Sequence, residues 1–401
     1  MGLCFSSNNV VSGSNCKQTN RKPNSTTKTE TVTLTETLTL LSLQAAPLPT
    51  LPFDLVAEIL CRIPVKLLIQ LRCLCKSFNS LISDPKFAEK HLRLSTKHRH
   101  LMLCSWNNQH KFFMYDFPIH SVFSNSSVTQ TQLTYPISLK STYGAPLAVC
   151  SCAGILCLTM RQGSAVLWNP SIRMFKILPT LNYIAHGAHY YPLYSFGYDH
   201  FINNYKIIAI SFFNEKYETR VYTLGTDSWR KIQDFPNLSL YRPSGVFVGG
   251  AVNWLVYDGF RSFIVSLDLE KESYQYISPP VLEMSLFTLG VLKDCLLFSA
   301  TNTRVTYLVI WVMMEYGNKE SWAKLHHIPL MGDPGLWVFN KVLHVSEDDQ
   351  LLLDFYELGS NKKKLVVYGS KIGTLKIPKF LNADLLMEWE VFVESLISPC
   401  S

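Results

Sequence analysis

Three stretches decide how the larger part of this chain folds. They are Asn169-Pro170-Ser171-Ile172-Arg173-Met174-Phe175-Lys176-Ile177, Gly225-Thr226-Asp227-Ser228-Trp229-Arg230-Lys231-Ile232 and Leu269-Glu270-Lys271-Glu272-Ser273-Tyr274-Gln275-Tyr276-Ile277. Each opens on turn-forming residues, passes through an aromatic one and closes on a polar residue followed by an aliphatic one. The pattern returns at Gly317-Asn318-Lys319-Glu320-Ser321-Trp322-Ala323-Lys324-Leu325 and, in outline, at Gly373-Thr374-Leu375-Lys376-Ile377. Taking Phe175, Trp229, Tyr274, Trp322 and Leu375 as equivalent gives gaps of 54, 45, 48 and 53 residues. That period suits a four-stranded blade repeated around an axis. Residues 100–398 then hold about six blades, and radial repetition lets short strands cover one another's edges. An irregular pair of β-sandwiches is the alternative arrangement of the same strands.

Between these stretches the strand signals continue. Aromatic residues make up 12% of the chain, a composition that suits sheets. Ile155–Met160 and Ala165–Trp168 flank a turn at Arg161–Gly163, and Val246–Val248 and Ala251–Val256 flank Gly249-Gly250, a pair free to take positive φ. The apolar run from Tyr307 to Met314 stops at Glu315. It is far short of the roughly 20 residues of a membrane span and reads as a buried strand.

Before residue 100 the period changes. Asp54 is placed to cap a helix with Leu55, Ile59 and Leu60 on one side, and Pro64 is suited to open the next helix. Leu67, Leu71, Leu74, Phe78 and Leu81 form a stripe that fits one helix or two, and Asp84-Pro85 stops it and starts a short helix through Phe87 to Leu92. Residues 47–95 thus read as a compact helical module. A module of this size cannot cover its own apolar stripe, so a second polypeptide or the β-rich domain must.

Residues 1–46 are Ser/Thr-rich and read as a disordered tail. The opening Met1-Gly2-Leu3-Cys4-Phe5-Ser6 fits the rule for N-myristoylation at Gly2, with Cys4 beside it for palmitoylation. Two acyl chains anchor a protein stably where one holds it only marginally. A transit peptide is a further reading of the same composition. The chain is expected to be cytoplasmic, nuclear or both, and at a membrane only if this N-terminus is acylated.

The net charge of +7 is localised. Residues 1–100 hold 13 Lys/Arg and 6 Asp/Glu, while residues 101–401 hold 24 of each sign. The large domain carries no bulk field to steer it to phosphate, so nucleic acid is not an expected partner. The 11 cysteines are odd in number and unpatterned, which argues for reduced thiols. Cys73/Cys75 and Cys150/Cys152 lack the partners a zinc site needs and read as small buried apolar residues. His186 and His189 have no carboxylate or cysteine nearby in sequence, Gly249-Gly250 lacks the Lys of a phosphate loop, and Lys97-His98-Arg99-His100 reads as a solvated linker. Trp229, Trp254 and Trp322 fit packing between blades better than ligand stacking. No catalytic constellation, metal site or cofactor is expected.

The segment Leu51-Pro52-Phe53-Asp54-Leu55-Val56-Ala57-Glu58-Ile59-Leu60-Cys61-Arg62-Ile63-Pro64, continuing through Leu71-Arg72-Cys73-Leu74-Cys75-Lys76-Ser77-Phe78 to Phe87, resembles the F-box of plant proteins. Leu67, Gln70 and Phe78 depart from the usual pattern without removing the apolar face. Cys152-Ala153-Gly154-Ile155-Leu156-Cys157-Leu158, Leu167-Trp168-Asn169-Pro170-Ser171, Phe196-Gly197-Tyr198-Asp199 and Trp311-Val312-Met313-Met314-Glu315-Tyr316-Gly317 are similar to the F-box-associated domain that follows it in many such proteins. The resemblance implies an α+β multidomain chain, a three-helix F-box followed by an all-β, kelch-related propeller. It implies docking of a Skp-family adaptor, and through it a cullin, by Leu51, Pro52, Leu55, Ile59, Leu60 and Pro64. The chain is then a non-catalytic substrate receptor of a ubiquitin ligase, its protein substrate held by surface loops such as Tyr183–Tyr194 and Tyr241–Pro243. A scaffold that binds the adaptor without directing degradation and a propeller enzyme are the alternatives.

Metabolic labelling with a myristate analogue is expected to mark the wild-type chain and to leave a Gly2→Ala variant unmarked. Equal labelling of both excludes acylation at Gly2.

Overall fold

A computed structural model describes residues 52–94, 99–106, 112–124, 128, 130–134, 146, 148–160, 163–181, 192–213, 215–242, 244–281, 286–302, 306–330, 337–357, 363–371, 373–378 and 385–400. The tail at 1–46, with Gly2 and Cys4, lies outside the described residues, as do Leu51 and the pair His186/His189.

The first described region holds four helices where three are expected: α1 (Phe53–Leu60), α2 (Val65–Leu71), α3 (Lys76–Ile82) and α4 (Pro85–Leu94). The leucine stripe is divided because Cys75 is extended, at φ −156° and ψ 162°, and its Sγ accepts the Phe78 N–H at 3.5 Å. Cys73 and Cys75 are therefore exposed rather than buried, whereas Cys150 is buried. Asp54 lies inside the first turn of α1 rather than capping it, where a carboxylate still complements the helix dipole. The Pro64 carbonyl accepts from the N–H groups of Leu67 and Leu68. Asp84 Oδ1 accepts from Lys86 N at 2.7 Å and Phe87 N at 3.4 Å, starting α4.

From residue 99 onward six antiparallel sheets follow among the described residues. Blade 1 combines Arg99–Trp106, Phe112–Pro118 and Thr131–Leu133 with Leu385–Val393 from the other end of the chain. Blade 2 is Ala148–Cys152, Ile155–Thr159, Ala165–Asn169 and Met174–Ile177, and blade 3 is Leu193–Asp199, Asn204–Phe213, Lys216–Thr223 and Trp229–Lys231. Blade 4 is Val246–Val248, Ala251–Tyr257, Ser262–Asp268 and Ser273–Ile277, with Ser239–Leu240 added at its edge. Blade 5 is Leu286–Leu292, Cys295–Thr301, Tyr307–Met313 and Trp322–Pro329, and blade 6 is Trp337–Val345, Gln350–Glu357, Lys363–Gly369 and Thr374–Lys376. The first strands of blades 2 to 6 and Leu385–Val393 neighbour one another in a closed circuit. This is a six-bladed propeller.

The repeat seen in the sequence is the turn into each fourth strand. Phe175, Trp229, Tyr274, Trp322 and Leu375 all stand on fourth strands, of blades 2 to 6. In blade 2 the Asn169 Oδ1 accepts the Ser171 N–H at 2.9 Å, and Arg173 takes φ 57° immediately before the strand. In blade 4 Asp268 Oδ1 accepts from Glu270 and Lys271, and Glu272 takes φ 53°. An Asx turn closed by a left-handed residue reverses the chain tightly enough for neighbouring strands to pair. The tryptophans stitch blades together as expected. Trp229 Nε1 donates to Pro179 O at 2.7 Å, Trp254 Nε1 to Ser195 Oγ at 3.2 Å and Trp322 Nε1 to Ser278 O at 3.1 Å. Arg99 and His100, expected in a solvated linker, instead begin blade 1, where His100 Nδ1 meets Asp116 Oδ1 at 2.8 Å.

Closure of the ring is held by buried polar contacts beyond the strand pairing. Asn169 Nδ2 donates to Ser395 O and Ser395 Oγ, both at 3.0 Å, and to Ile397 O at 2.9 Å. Gly154, at φ +79°, lies so close that a Cβ there would stand 2.5 Å from Val393 O. Turn and C-terminal segment are thus locked face to face.

Around the axis lies a cavity of about 350 Å³. Lys341 Nζ donates to Glu388 Oε1 at 3.1 Å and Trp389 O at 2.9 Å, Lys363 Nζ to Glu388 Oε2 at 2.9 Å, and Ser151 Oγ to Glu390 Oε1 at 3.0 Å. Burial pushes the Glu388 carboxyl upward, but Lys341 and Lys363 outweigh it and hold it down at about 2.

Asn169→Ala strands two buried carbonyls and is expected to destabilise the ring by about 2–3 kcal/mol, read as a lower denaturant midpoint; an unchanged midpoint contradicts the latch. Glu388, depressed below its ordinary 4.5, adds stability that is complete above pH 4.5 and lost as pH falls toward about 2. The Tm difference between wild type and Glu388→Gln should therefore be widest above pH 4.5 and close toward pH 2. A gap that is independent of pH contradicts the pairing.

Candidate functional site

Helix α1 carries two apolar stripes about a quarter-turn apart. Val56 and Leu60 face inward, and Leu60 joins Cys61, Val65, Leu68, Ile82, Phe87 and Ala88 in a core continuous with Cys150, Ile155, Phe196 and Tyr205 of blades 2 and 3 and with Leu396 and Ile397. The helices are thus seated on the ring by a shared apolar interior. A polar contact reinforces the seat, Asn203 Nδ2 donating to Glu89 Oε1 at 3.3 Å, while within the helices the buried His91 ring meets Ile63 O at 2.9 Å. Lys90 and Glu58 pair between α4 and α1.

Leu60, expected among the docking residues, is only 4% exposed and lies in the interior it shares with Cys61, Val65, Leu68, Ile82, Phe87 and Ala88. The other stripe is open. Leu55 and Ile59, one turn apart on the same face, are 50% and 51% exposed. Leu67 and Leu74 are 48% and 69% exposed, and Pro52 and Pro64 lie at the surface as well. Covering the open halves of these four leucine and isoleucine side chains is worth about 1 kcal/mol each. Arg62, Lys66, Arg72 and Lys76 are exposed on the same helices, giving the apolar residues a basic setting. Leu51 is outside the described residues.

Other expected positions divide. Tyr241 is exposed, with its hydroxyl 3.0 Å from Ser262 Oγ, while Pro243 lies outside the described residues. Tyr194, expected on a surface loop, is instead buried in blade 3 and donates to Gly163 O at 2.7 Å. Gly249 and Gly250 form a hairpin turn at φ 60° and 78°. Among the described residues no group of His, Cys, Asp and Glu is placed to hold a metal ion, and no helix is long and apolar enough to cross a membrane.

Sequence reasoning missed one convergence. Arg242 enters from the segment before blade 4, Lys341 from blade 6, and Glu388 and Glu390 from the closing strand of blade 1, and all four line the axial cavity. Residues separated by 47 positions or more carry no spacing signal, and only the closed ring brings them together.

Comparison with known proteins agrees with this architecture. Residues 48–90 match the model of the F-box domain, and residues 102–399 match that of the F-box associated beta propeller domain. An F-box/kelch-repeat protein of Arabidopsis thaliana is 27% identical over 372 residues, covering 87% of this chain and 96% of the relative. The Arabidopsis thaliana F-box protein CPR1 is 27% identical, covering 88% and 89% of the two chains. Both alignments run through the helices and the ring alike, so it is the combination that is shared. The chain belongs to the F-box proteins that carry an F-box associated beta propeller domain.

Proposed function

We propose that this chain is the substrate-recognition subunit of a Skp–cullin–F-box ubiquitin ligase. The open stripe of α1 docks the Skp-family adaptor, and the propeller holds a protein substrate. The observation that carries this reading is that Leu55 and Ile59 remain half-exposed on a helix whose neighbouring stripe, ending at Leu60, is turned into the interior. A folded chain that leaves two large aliphatic residues open on one helix face, beside exposed Leu67 and Leu74, has an apolar surface suited to a partner. The basic side chains around it favour an acidic adaptor surface and speed encounter. The chain itself supplies no chemistry: it raises the substrate's effective concentration near a ubiquitin carrier held elsewhere in the assembly. Such a complex works in the cytoplasm or nucleus, or at a membrane where Gly2 and Cys4 are acylated.

Leu55→Asp/Ile59→Asp places two charges where the adaptor must exclude water. It is expected to weaken capture of purified Skp adaptor by roughly 100-fold or more, while the melting temperature stays near wild type because both residues are exposed in the free chain. Leu60→Asp, by contrast, should unfold the seat of the helices. Equal adaptor capture by the wild type and the doubly charged variant contradicts the proposal. A partner whose abundance is constant on deletion and overexpression of this chain speaks for a scaffold without degradation.

A further inference from the structure

The axial cavity holds a cation that no carboxylate among the described residues contacts directly, although Glu388 and Asp354 attract it from farther off. Arg242 Nη2 donates to Asn340 O at 2.6 Å and to Asn340 Oδ1 at 2.5 Å, both neutral acceptors. Those bonds run from the segment before blade 4 to the first strand of blade 6, and hold the guanidinium at the cavity wall. Its Nε and Nη1 donors have no hydrogen-bond partner among the described residues, and no carboxylate there stands within ion-pair distance of it. The neighbouring cations are already committed. Lys341 serves Glu388 and Glu390, and Lys363 serves Glu388 and Asp354.

Among the described residues, Arg99, Arg242 and Lys341 line the cavity together with Glu388 and Glu390. Burial pushes the Glu390 carboxyl upward, which weakens its negative charge. An arginine stays protonated even in such a setting, and the half-buried guanidinium has donors free to make a charge-assisted pair with an anion in the cavity. Phe196, Phe247 and Leu289 give the wall an apolar part, beside Ser151 and Ser244. About 350 Å³ is enough for a small organic molecule or a few residues of extended peptide.

We propose that the axial cavity is a binding site for a monoanionic carboxylate carried on an apolar body, with Arg242 as its anchor. The carboxylate accepts from the open donors of Arg242, and the apolar part lies against Phe196, Phe247 and Leu289. A single negative charge matches the one guanidinium with open donors, whereas a dianionic phosphate meets stronger repulsion from Glu388 and Glu390. The same chemistry is offered by a free organic acid and by the C-terminal carboxylate of a peptide. The site is separate from the open stripe of α1 and does not depend on the ligase reading.

Calorimetric titration of the full chain tests this with 4-phenylbutyrate against its amide, and with Gly-Gly-Phe bearing a free or an amidated C-terminus. At least one carboxylate is expected to bind roughly tenfold or more tightly than its own amide, and Arg242→Met should abolish that preference. Preference confined to the peptide marks a chain terminus as the source, and preference confined to 4-phenylbutyrate marks a free acid. The carboxylate–amide comparison on the wild type needs no variant, and a single cooperative thermal transition of Arg242→Met shows that the variant is folded. Equal affinity for acids and amides, no binding by any probe at millimolar concentration, or a preference that survives Arg242→Met overturns the proposal.

Discussion

A propeller has no terminus at which its stability can be lost gradually. Its innermost strands pack in a circuit, and the circuit exists only if the last strand returns to the first blade. Here Leu385–Val393 pairs along Arg99–Trp106, and Asn169 of blade 2 grips the residues just beyond it through three hydrogen bonds. The backbone approach at Gly154 leaves no space for a side chain at that seam. Everything else rests on this joint, because the helices sit against blades 2 and 3 and against Leu396 and Ile397, on both sides of the closure.

Seating the helices on the ring settles which of their apolar residues remain available. A module of about 40 residues cannot complete an interior alone. Its interior, which includes Leu60, Val65, Leu68 and Ile82, is continuous with that of the propeller. What remains is the outward stripe, half-exposed at Leu55 and Ile59. Docking surface and ring are thus two consequences of one packing arrangement: the burial of the first stripe holds the second in a fixed orientation relative to the propeller. A ligase subunit needs such a rigid relation, since an adaptor at one end and a substrate at the other must be held at a set distance.

Much of this was legible in the sequence, for identifiable reasons. The blade period showed because one turn chemistry, an Asx acceptor followed by a left-handed residue, recurs before several fourth strands. Blade 1 escaped that count because its strands come from opposite ends of the chain. The open stripe showed in Leu55 and Ile59 through helical spacing, but the same spacing included Leu60, since periodicity marks an apolar side without saying which neighbour covers it. Division of the second stripe into α2 and α3 depended on the backbone of Cys75, which no periodicity reports. The charges of the axial cavity were invisible, being brought together solely by closure.

The helices share an apolar interior with the ring, and in the proposed role the stripe left outside it, at Leu55 and Ile59, is for a second polypeptide. Hydrogen–deuterium exchange on the full chain, alone and with purified Skp adaptor, tests it most directly. The account predicts new protection confined to Phe53–Leu60 and the stretch from Val65 to Lys76, with the amides of blades 2 and 3 already slow and unchanged. Protection that appears on the blades instead, or helices equally protected without the adaptor, would contradict it.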